Sequence, residues 1–247
     1  MITGATSGIG EATAHVFASK GWNVIATGRR KDRLQVLDAE LQRLYQANVY
    51  PLKFDVRLNH EVMTAIDSLP DEWKNIDVLV NNAGLAAGLN SFHEGVLDDW
   101  ERMIDTNLKG LLYVSRKLAP GMVERKHGHI INIGSIAGKE VYANGNVYCA
   151  TKHAVDALNK GMRIDLLPYN IKVTAIHPGM VETEFSIVRF KGYLERAKNA
   201  YKGFQPLLAE DIAETIYWVA TRPAHVNIND LVIMPTVQAN ATTTIKK

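Results

Sequence analysis

"MITGATSGIGEATAHVFASKGWNVIAT" (residues 1–27) decides the fold. In its middle, GIGEATAHVFASKG carries Ile9, Ala12, Val16 and Phe17 on one helical face, and Gly21 suits the turn after a helix C-terminus. A short β-rich apolar run, NVIAT (23–27), follows. Ahead of the helix only Met1 and Ile2 precede a turn at Thr3-Gly4. The order is strand, glycine-rich turn, helix, strand. A central parallel strand usually holds about five residues, so this reading expects a few native residues to be missing before Met1. Within TGATSGIG (3–10) the glycines are spaced G-x-x-x-G-x-G. Gly4 permits a tight turn, Gly8 lets the backbone come close to a pyrophosphate, and Gly10 lets the helix pack against the sheet. The helix N-terminus then offers free N–H groups and the positive end of its dipole to phosphates.

Outward from this unit the alternation continues. Apolar runs VYPLKF (49–54), DVLVN (77–81), HIINIG (129–134), IKVTAI (171–176) and DLVIM (230–234) are separated by helical stretches. DRLQVLDAELQRLYQ places Leu34, Leu37, Leu41 and Leu44 in one stripe, and AEDIAETIYWVATRP runs as a helix until Pro223 ends it. Strands that are apolar throughout, each followed by a helix, predict a parallel sheet covered on both faces. No linker, repeat or low-complexity stretch interrupts the 247 residues, so a single α/β domain spanning 1–247 is expected.

Composition narrows the function. Hydrophobic residues make up 47% and charged ones 22%, ordinary for a chain with a real core. A net charge of +2 argues against a dedicated nucleic-acid binder, and the densest basic cluster, Arg29-Arg30-Lys31, is interrupted by Asp32. No apolar run is long enough to cross a membrane, and the N-terminus shows no secretory pattern. The one cysteine, Cys149, excludes an internal disulfide and fits a reducing compartment, so the cytoplasm is expected. In HGHI (127–130) two histidines lack further ligands at metal spacing, and no metal is expected.

After the second strand come Gly28, Arg29 and Arg30, where an NAD site usually carries an acid. Two guanidiniums suit a 2′-phosphate through forked, charge-assisted hydrogen bonds, which points to NADP. Asp55, in FDVR, stands where it could hydrogen-bond an adenine amine.

Four signals follow in order: NNAG (81–84), TNLKG (106–110), IGSIAG (133–138) and YCATK (148–152); then comes HPGMVET (177–183). With the glycine turn, this set resembles the short-chain dehydrogenase/reductase family over essentially the whole chain. The resemblance implies a Rossmann-type doubly wound domain with a seven-stranded parallel sheet, assembled as a dimer or tetramer. It implies a catalytic tetrad of Asn107, Ser135, Tyr148 and Lys152. Cofactor contacts are implied from Gly4, Thr6, Ser7, Gly8, Ile9 and Gly10 in the turn, and from Arg29, Arg30, Asp55 and Val56 at the adenosine end. Asn81, Asn82, Ala83 and Gly84 join them, with Tyr148, Lys152, Pro178, Gly179, Val181 and Thr183 near the nicotinamide.

The chemistry needs these residue types. Hydride transfer to a carbonyl leaves charge on an oxygen that must gain a proton, and a free tyrosine, with a pKa of about 10, is a poor acid–base near neutrality. Tyr148 and Lys152 lie one helical turn apart, so the ammonium is expected to pull the phenol down. Ser135 can hydrogen-bond the developing alkoxide, Lys152 can hold the ribose, and Asn107 can support a proton path from Lys152 to solvent. Cys149 points off the catalytic face as a packing residue.

The segment 183–205, beginning TEFSIVRFKG, is expected to cover the substrate, with Arg189 a candidate for a substrate carboxylate. ATGRRKDRL, EWKNIDVLVNNAGLA, HGHIINIGS, FSIVRFKG and PAHVNIND look like the NADP-dependent serine/3-hydroxy acid dehydrogenase subgroup. That subgroup implies oxidation of serine, allo-threonine and small 3-hydroxy acids by a homotetramer. The chain departs from it at Glu182-Thr183 and in YLERAKNAYKGF (193–204). The alternative is a 3-oxoacyl-carrier-protein reductase, whose acidic carrier would dock on Arg116, Lys117, Arg125 and Lys126. A non-catalytic NADP(H)-binding regulator could lose Tyr148 or Lys152 without harm, and the intact tetrad argues against it.

Overall fold

The structure, a computed structural model, describes residues 1–246. Strand β1 (Ile2–Thr3) leads through the glycine turn into α1 (Gly8–Ser19), then β2 (Val24–Gly28), α2 (Lys31–Tyr45) and β3 (Val49–Lys53). Helices α3 (Asn59–Asp67) and α4 (Asp71–Lys74) precede β4 (Val78–Asn81). Next come α5 (Leu97–Ile104), a π-helical turn (Asp105–Lys109), α6 (Gly110–Arg125), β5 (Gly128–Ile133) and α7 (Asn146–Leu166). The chain continues through β6 (Ile171–Pro178), α8 (Phe185–Arg189), α9 (Leu194–Asn199), α10 (Ala209–Ala220) and β7 (Asp230–Ile233).

All seven strands are parallel in the order β3-β2-β1-β4-β5-β6-β7. The order reverses between β1 and β4, which opens a crevice at the strand C-terminal ends. Short as it is, β1 pairs on both sides, Ile2 with Ala26 and with Val80. Side chains alternate across the sheet. On one face Ile131 and Ile176 pack with Phe17, Leu34, Leu37, Leu41, Ile212 and Ile216 from α1, α2 and α10. On the other, Ile130 and Leu79 meet Val62 and Ile66 of α3 and Val114, Leu118 and Met122 of α6. Each fully buried Leu or Ile contributes about 1.5–3 kcal/mol over an exposed one, which is why the helical period decides which residues face the sheet.

Two expectations need correction. Leu44 leaves the α2 stripe and is 44% exposed, because the helix ends one residue later and the sheet edge falls short of it. The strands are also not apolar throughout. The outermost, β3 and β7, are half-exposed, and Pro51 is tolerated in β3 because an edge strand has one ladder free.

Candidate active site

At the crevice the glycine turn is built by contact. Gly4 and Gly8 have φ of 69° and 56°, the left-handed region that suits glycine. A Cβ on Gly10 would lie 2.3 Å from the Gly4 carbonyl oxygen, so Gly10 is required for the turn to close and does not itself face the cleft. A Cβ on Gly8 would press on Thr183 at 3.1 Å, which brings the turn against the loop after β6. Asn82 fastens the turn by donating its amide to the carbonyls of Thr3 (2.9 Å) and Gly4 (3.3 Å).

The cleft above measures about 330 Å³. Its wall holds Gly4, Thr6, Ser7, Gly8 and Ile9 at one end, Arg29, Arg30, Asp55 and Val56 at another, and Asn82, Ala83 and Gly84 along the floor. Ser135, Tyr148, Lys152, Pro178, Gly179, Val181 and Thr183 complete it. Asn81 is the exception among the NNAG residues. Its amide is buried, donating to Ser115 Oγ (2.8 Å) and Asn132 Oδ1 (2.9 Å), because residues alternate across β4 and Asn81 takes the inward side.

The basic end is more elaborate than two arginines. Arg30 donates through Nε and Nη2 to Thr6 Oγ1 (3.1 and 2.9 Å) and through Nη2 to Ser7 Oγ (2.8 Å). Arg33, one turn further along α2, shares the Glu184 carboxylate with it: Arg33 Nη1 lies 2.8 Å from Oε1 and Arg30 Nη1 3.1 Å from Oε2. Hydrogen bonding to Arg33, then to Arg30, holds the Glu184 carboxyl below its ordinary range. Asp55 accepts from Arg57 Nε and Nη2, the latter at 2.6 Å. Although burial opposes ionisation, Arg57 keeps its carboxyl below the ordinary value. The expected adenine contact would compete with that fork. Among the described residues Arg29 pairs only with Asp55, at 3.8 Å, and its side chain is 58% exposed, which leaves it the most open of these arginines to an incoming phosphate.

Ser135, Tyr148 and Lys152 converge as expected. All three are buried. Ser135 stands at the head of a short 3-10 turn (Ile136–Gly138), where its Oγ accepts from Ala137 N at 3.1 Å. Tyr148 and Lys152 project one turn apart from α7, with Lys152 Nζ 6.0 Å from the phenol ring centroid. The expectation that Lys152 lowers the phenol is corrected. Burial drives the Tyr148 phenol well above its ordinary value, Tyr142 adds to this, and the downward pulls come from the Ser135 hydroxyl and Arg189. Lys152 Nζ instead donates to the Ile133 carbonyl (2.9 Å), and burial pushes it down to about 8.

Asn107 sits in the π-helical turn, buried, and does not reach the cleft. Its Oδ1 accepts from Leu85 N (2.8 Å), and its Nδ2 donates to Leu85 O (2.8 Å) and Thr151 Oγ1 (3.1 Å). The side chain therefore ties the loop after β4 to α7 beneath Lys152. Cys149 is buried beside Ala86, Met103 and Ala137, a packing residue as expected.

Arg189, on α8, does not line the cleft as expected of a substrate contact; it lies behind Tyr148, beside a separate small pocket with Trp100. Its Nη2 donates to Tyr142 Oη (3.0 Å), and the guanidinium carbon is 5.5 Å from the Tyr142 ring and 5.7 Å from the Tyr148 ring. Its Nε is buried without a partner, and among the described residues no carboxylate pairs with it. Phe185 closes over the phenol with ring centroids 5.7 Å apart. Sequence reasoning missed Arg33, Arg57, Tyr142 and Glu184; the RRKDR run and the acid directly after Thr183 were the available signals for two of them, Arg33 and Glu184.

The proposed carrier-docking face is partly occupied by internal contacts. Lys117 is bonded to Asp67, and Arg125 donates to the Ile76 carbonyl at 2.8 Å. In HGHI, His129 is buried in β5 against Thr174 Oγ1 (2.8 Å), and burial pushes it down to about 3. One group, Asp156, His177 and Asp230, brings ligand-type atoms within 4.8 Å of one another.

A profile of the short chain dehydrogenase family matches residues 1–193. The NADP-dependent 3-hydroxy acid dehydrogenase of Escherichia coli (strain K12) is 51% identical over 242 residues, covering 98% of this chain and 96% of that protein. The serine 3-dehydrogenase of Rhizobium radiobacter is 47% identical over 241 residues, covering 98% and 95%. The closed form of a serine dehydrogenase complexed with NADP⁺ superposes with a TM-score of 0.94 at 50% identity, covering 100% of this chain and 98% of the other. The serine dehydrogenase from Escherichia coli superposes at 0.83 with 47% identity, covering 96% and 97%. With the glycine turn, the switch-point cleft and the convergent serine, tyrosine and lysine, these matches show that the chain belongs to the short-chain dehydrogenase family of oxidoreductases.

Proposed function

We propose that the protein is an NADP-dependent oxidoreductase that interconverts the 3-hydroxyl of small 3-hydroxy acids, serine, allo-threonine and 3-hydroxypropionate among them, with the corresponding carbonyl. The residues present fit NADP. The turn leaves no room for side chains where a pyrophosphate would approach, and Arg29, Arg30, Arg33, Thr6 and Ser7 form a donor set suited to a 2′-phosphate. When bound, NADP supplies the hydride-accepting ring.

The chain's own residues do the rest. Tyr148 exchanges the proton with the substrate oxygen, and Ser135 Oγ hydrogen-bonds that oxygen as charge develops on it. Lys152, charged below about pH 8, holds the ribose and favours the phenolate once its ammonium leaves the Ile133 carbonyl. Phe185, Val188 and Leu85 line the cleft with apolar surface and exclude water from the reacting atoms. Exposed Ile164 on α7, Leu167 just past its end and Trp218 on α10 support assembly of a homotetramer, and the lone free thiol supports a cytoplasmic setting.

The observation that carries the substrate class is Arg189, a guanidinium without an acid, held against the catalytic phenol with an unpartnered Nε. A substrate carboxylate would complete it and set the 3-hydroxyl toward Tyr148. Replacing Arg189 with Met should lower kcat/KM for 3-hydroxypropionate and L-serine about ten- to a hundred-fold, since a hydrogen bond to a charged group contributes about 1.5–3 kcal/mol. Neutral secondary alcohols should keep their rates. Equal losses on acids and neutral alcohols would refute the carboxylate clamp.

A further inference from the structure

The Ser135 turn rests on a cluster of charges that the reaction itself does not use. Lys139 follows Ser135 by four residues, and Asp156 follows Lys152 by four on the same face of α7. Lys139 Nζ bonds Asp156 Oδ1 at 2.8 Å and Asp230 Oδ2, on β7, at 2.5 Å. Lys160 takes the other oxygen of Asp156 at 2.6 Å from the solvent side.

Beneath them His177 has no exposed surface. Its Nδ1 lies 3.1 Å from Ser135 O and 3.4 Å from Ser135 N. Its Nε2 faces Asp156 and Asp230 at 3.6 Å each and has no hydrogen-bond partner. Two glycines make the approach possible: a Cβ at Gly134 would strike the His177 ring at 2.4 Å, and one at Gly138 would strike the Lys152 carbonyl oxygen at 2.6 Å. A metal ion is not what this cluster holds, because the Lys139 ammonium already lies on both carboxylates, where a cation would bind.

We propose that Lys139, Asp156 and His177 are positioning residues that fix Ser135 against Tyr148 and Lys152, His177 by gripping the Ser135 backbone and the Lys139–Asp156 bridge by tying its turn to the helix that carries the other two. This rests on the functional reading above, in which Ser135 and Tyr148 face the substrate oxygen. The Lys139–Asp156 pair is only part-buried, and ion pairs of this kind add little to stability, so its contribution lies in geometry. Of the polar and charged groups around Tyr148, the Ser135 hydroxyl and Arg189 favour the phenolate, Tyr142 and Cys149 oppose it, and Lys152 stands one turn away. A displaced Ser135 therefore leaves the phenolate less supported.

The test compares Lys139→Met, Asp156→Asn and the double variant with wild type, all as full chains with NADP⁺ and 3-hydroxypropionate. Displacement of a reacting group by about 1 Å can reduce rate a hundred-fold, so kcat should fall about ten- to a hundred-fold. KM for the acid and the NADP⁺ dissociation constant, read by tryptophan fluorescence, should change little. The rising limb of the oxidation kcat/KM profile should move to higher pH, and the double variant should be no worse than the poorer single one. Lys139→Arg should recover most of the rate.

Wild-type kcat, additive losses or an unmoved rising limb would overturn the proposal. If Lys139→Met does not fold, Asp156→Asn keeps its volume and reads the same quantities, and wild-type kcat there overturns it equally. Tyr148→Phe run alongside separates the two failures. An active Tyr148→Phe sinks the functional reading, whereas an inert one beside a fully active Lys139→Met sinks only the positioning role.

Discussion

At Tyr148 burial and local charge act in opposite directions. Burial beside Leu85, Ala137 and Phe185 favours the neutral phenol, while Ser135 and Arg189 favour the phenolate. In the proposed function the neutral phenol suits a proton donor for carbonyl reduction, and alcohol oxidation requires that it first lose its proton. Oxidation kcat/KM should accordingly rise with pH above neutrality, while reduction holds level and then falls as the phenol and the Lys152 ammonium deprotonate. Tyr148→Phe should remove about a hundred- to ten-thousand-fold of both rates. Stopped-flow profiles in the two directions check this; parallel profiles would show that Tyr148 is not the exchanging group. Ser135, Tyr148 and Lys152 could be singled out in the sequence through the family resemblance of IGSIAG and YCATK, since the tyrosine–lysine spacing alone is common. The electrostatics were not legible there, because the i,i+4 spacing brings Lys152 near the ring but does not reveal that the Ile133 carbonyl holds its ammonium.

Helix α8 works as a short cover pinned at both ends. Glu184 bridges Arg30 and Arg33 at its start, and Lys191 Nζ meets the buried Asp99 at 2.7 Å just past its end. Between them Phe185 and Arg189 face the phenol. The Glu184 bridge is about 40% exposed, so it stabilises by no more than about 1 kcal/mol, enough to change how often the cover opens without unfolding the domain. Glu184→Gln should be cut by trypsin after Lys191 several-fold faster than wild type, with an unchanged melting temperature. Equal cleavage rates would show that the bridge does not hold α8. The TEFSIVRFKG stretch raised the expectation of a cover, but its anchor lies some 150 residues away on α2, a pairing that no local pattern encodes.

Across the whole molecule, stability at low pH depends on what the sheet buries. His129, between the two layers, is held neutral down to about pH 3, whereas an unfolded histidine takes up its proton near pH 6.5. The unfolded chain therefore binds one more proton below that point. Stability should fall as pH drops from about 6.5 toward 3, by up to about 1.4 kcal/mol per unit from this group. His129→Val should flatten that slope in urea-unfolding curves taken between pH 7 and pH 4. An unaltered slope would assign the acid sensitivity to other groups.

Residue order alone set the class of fold and the glycine turn, and marked Tyr148 and Lys152 as neighbours on one helix face. Each depends on short-range periodicity or on spacing within one strand–turn–helix unit: the α1 face, Gly4 and Gly8 at positive φ, Tyr148 and Lys152 one turn apart. Only the tertiary structure decided how those groups are held and charged. Asn81 turned inward, Asn107 became a strut for Leu85, Asp55 was claimed by Arg57, and Glu184 and His177 gained partners from distant elements. The physical reason is that burial and hydrogen bonding act through distances across the fold, whereas sequence patterns report only which face of its own element a residue occupies.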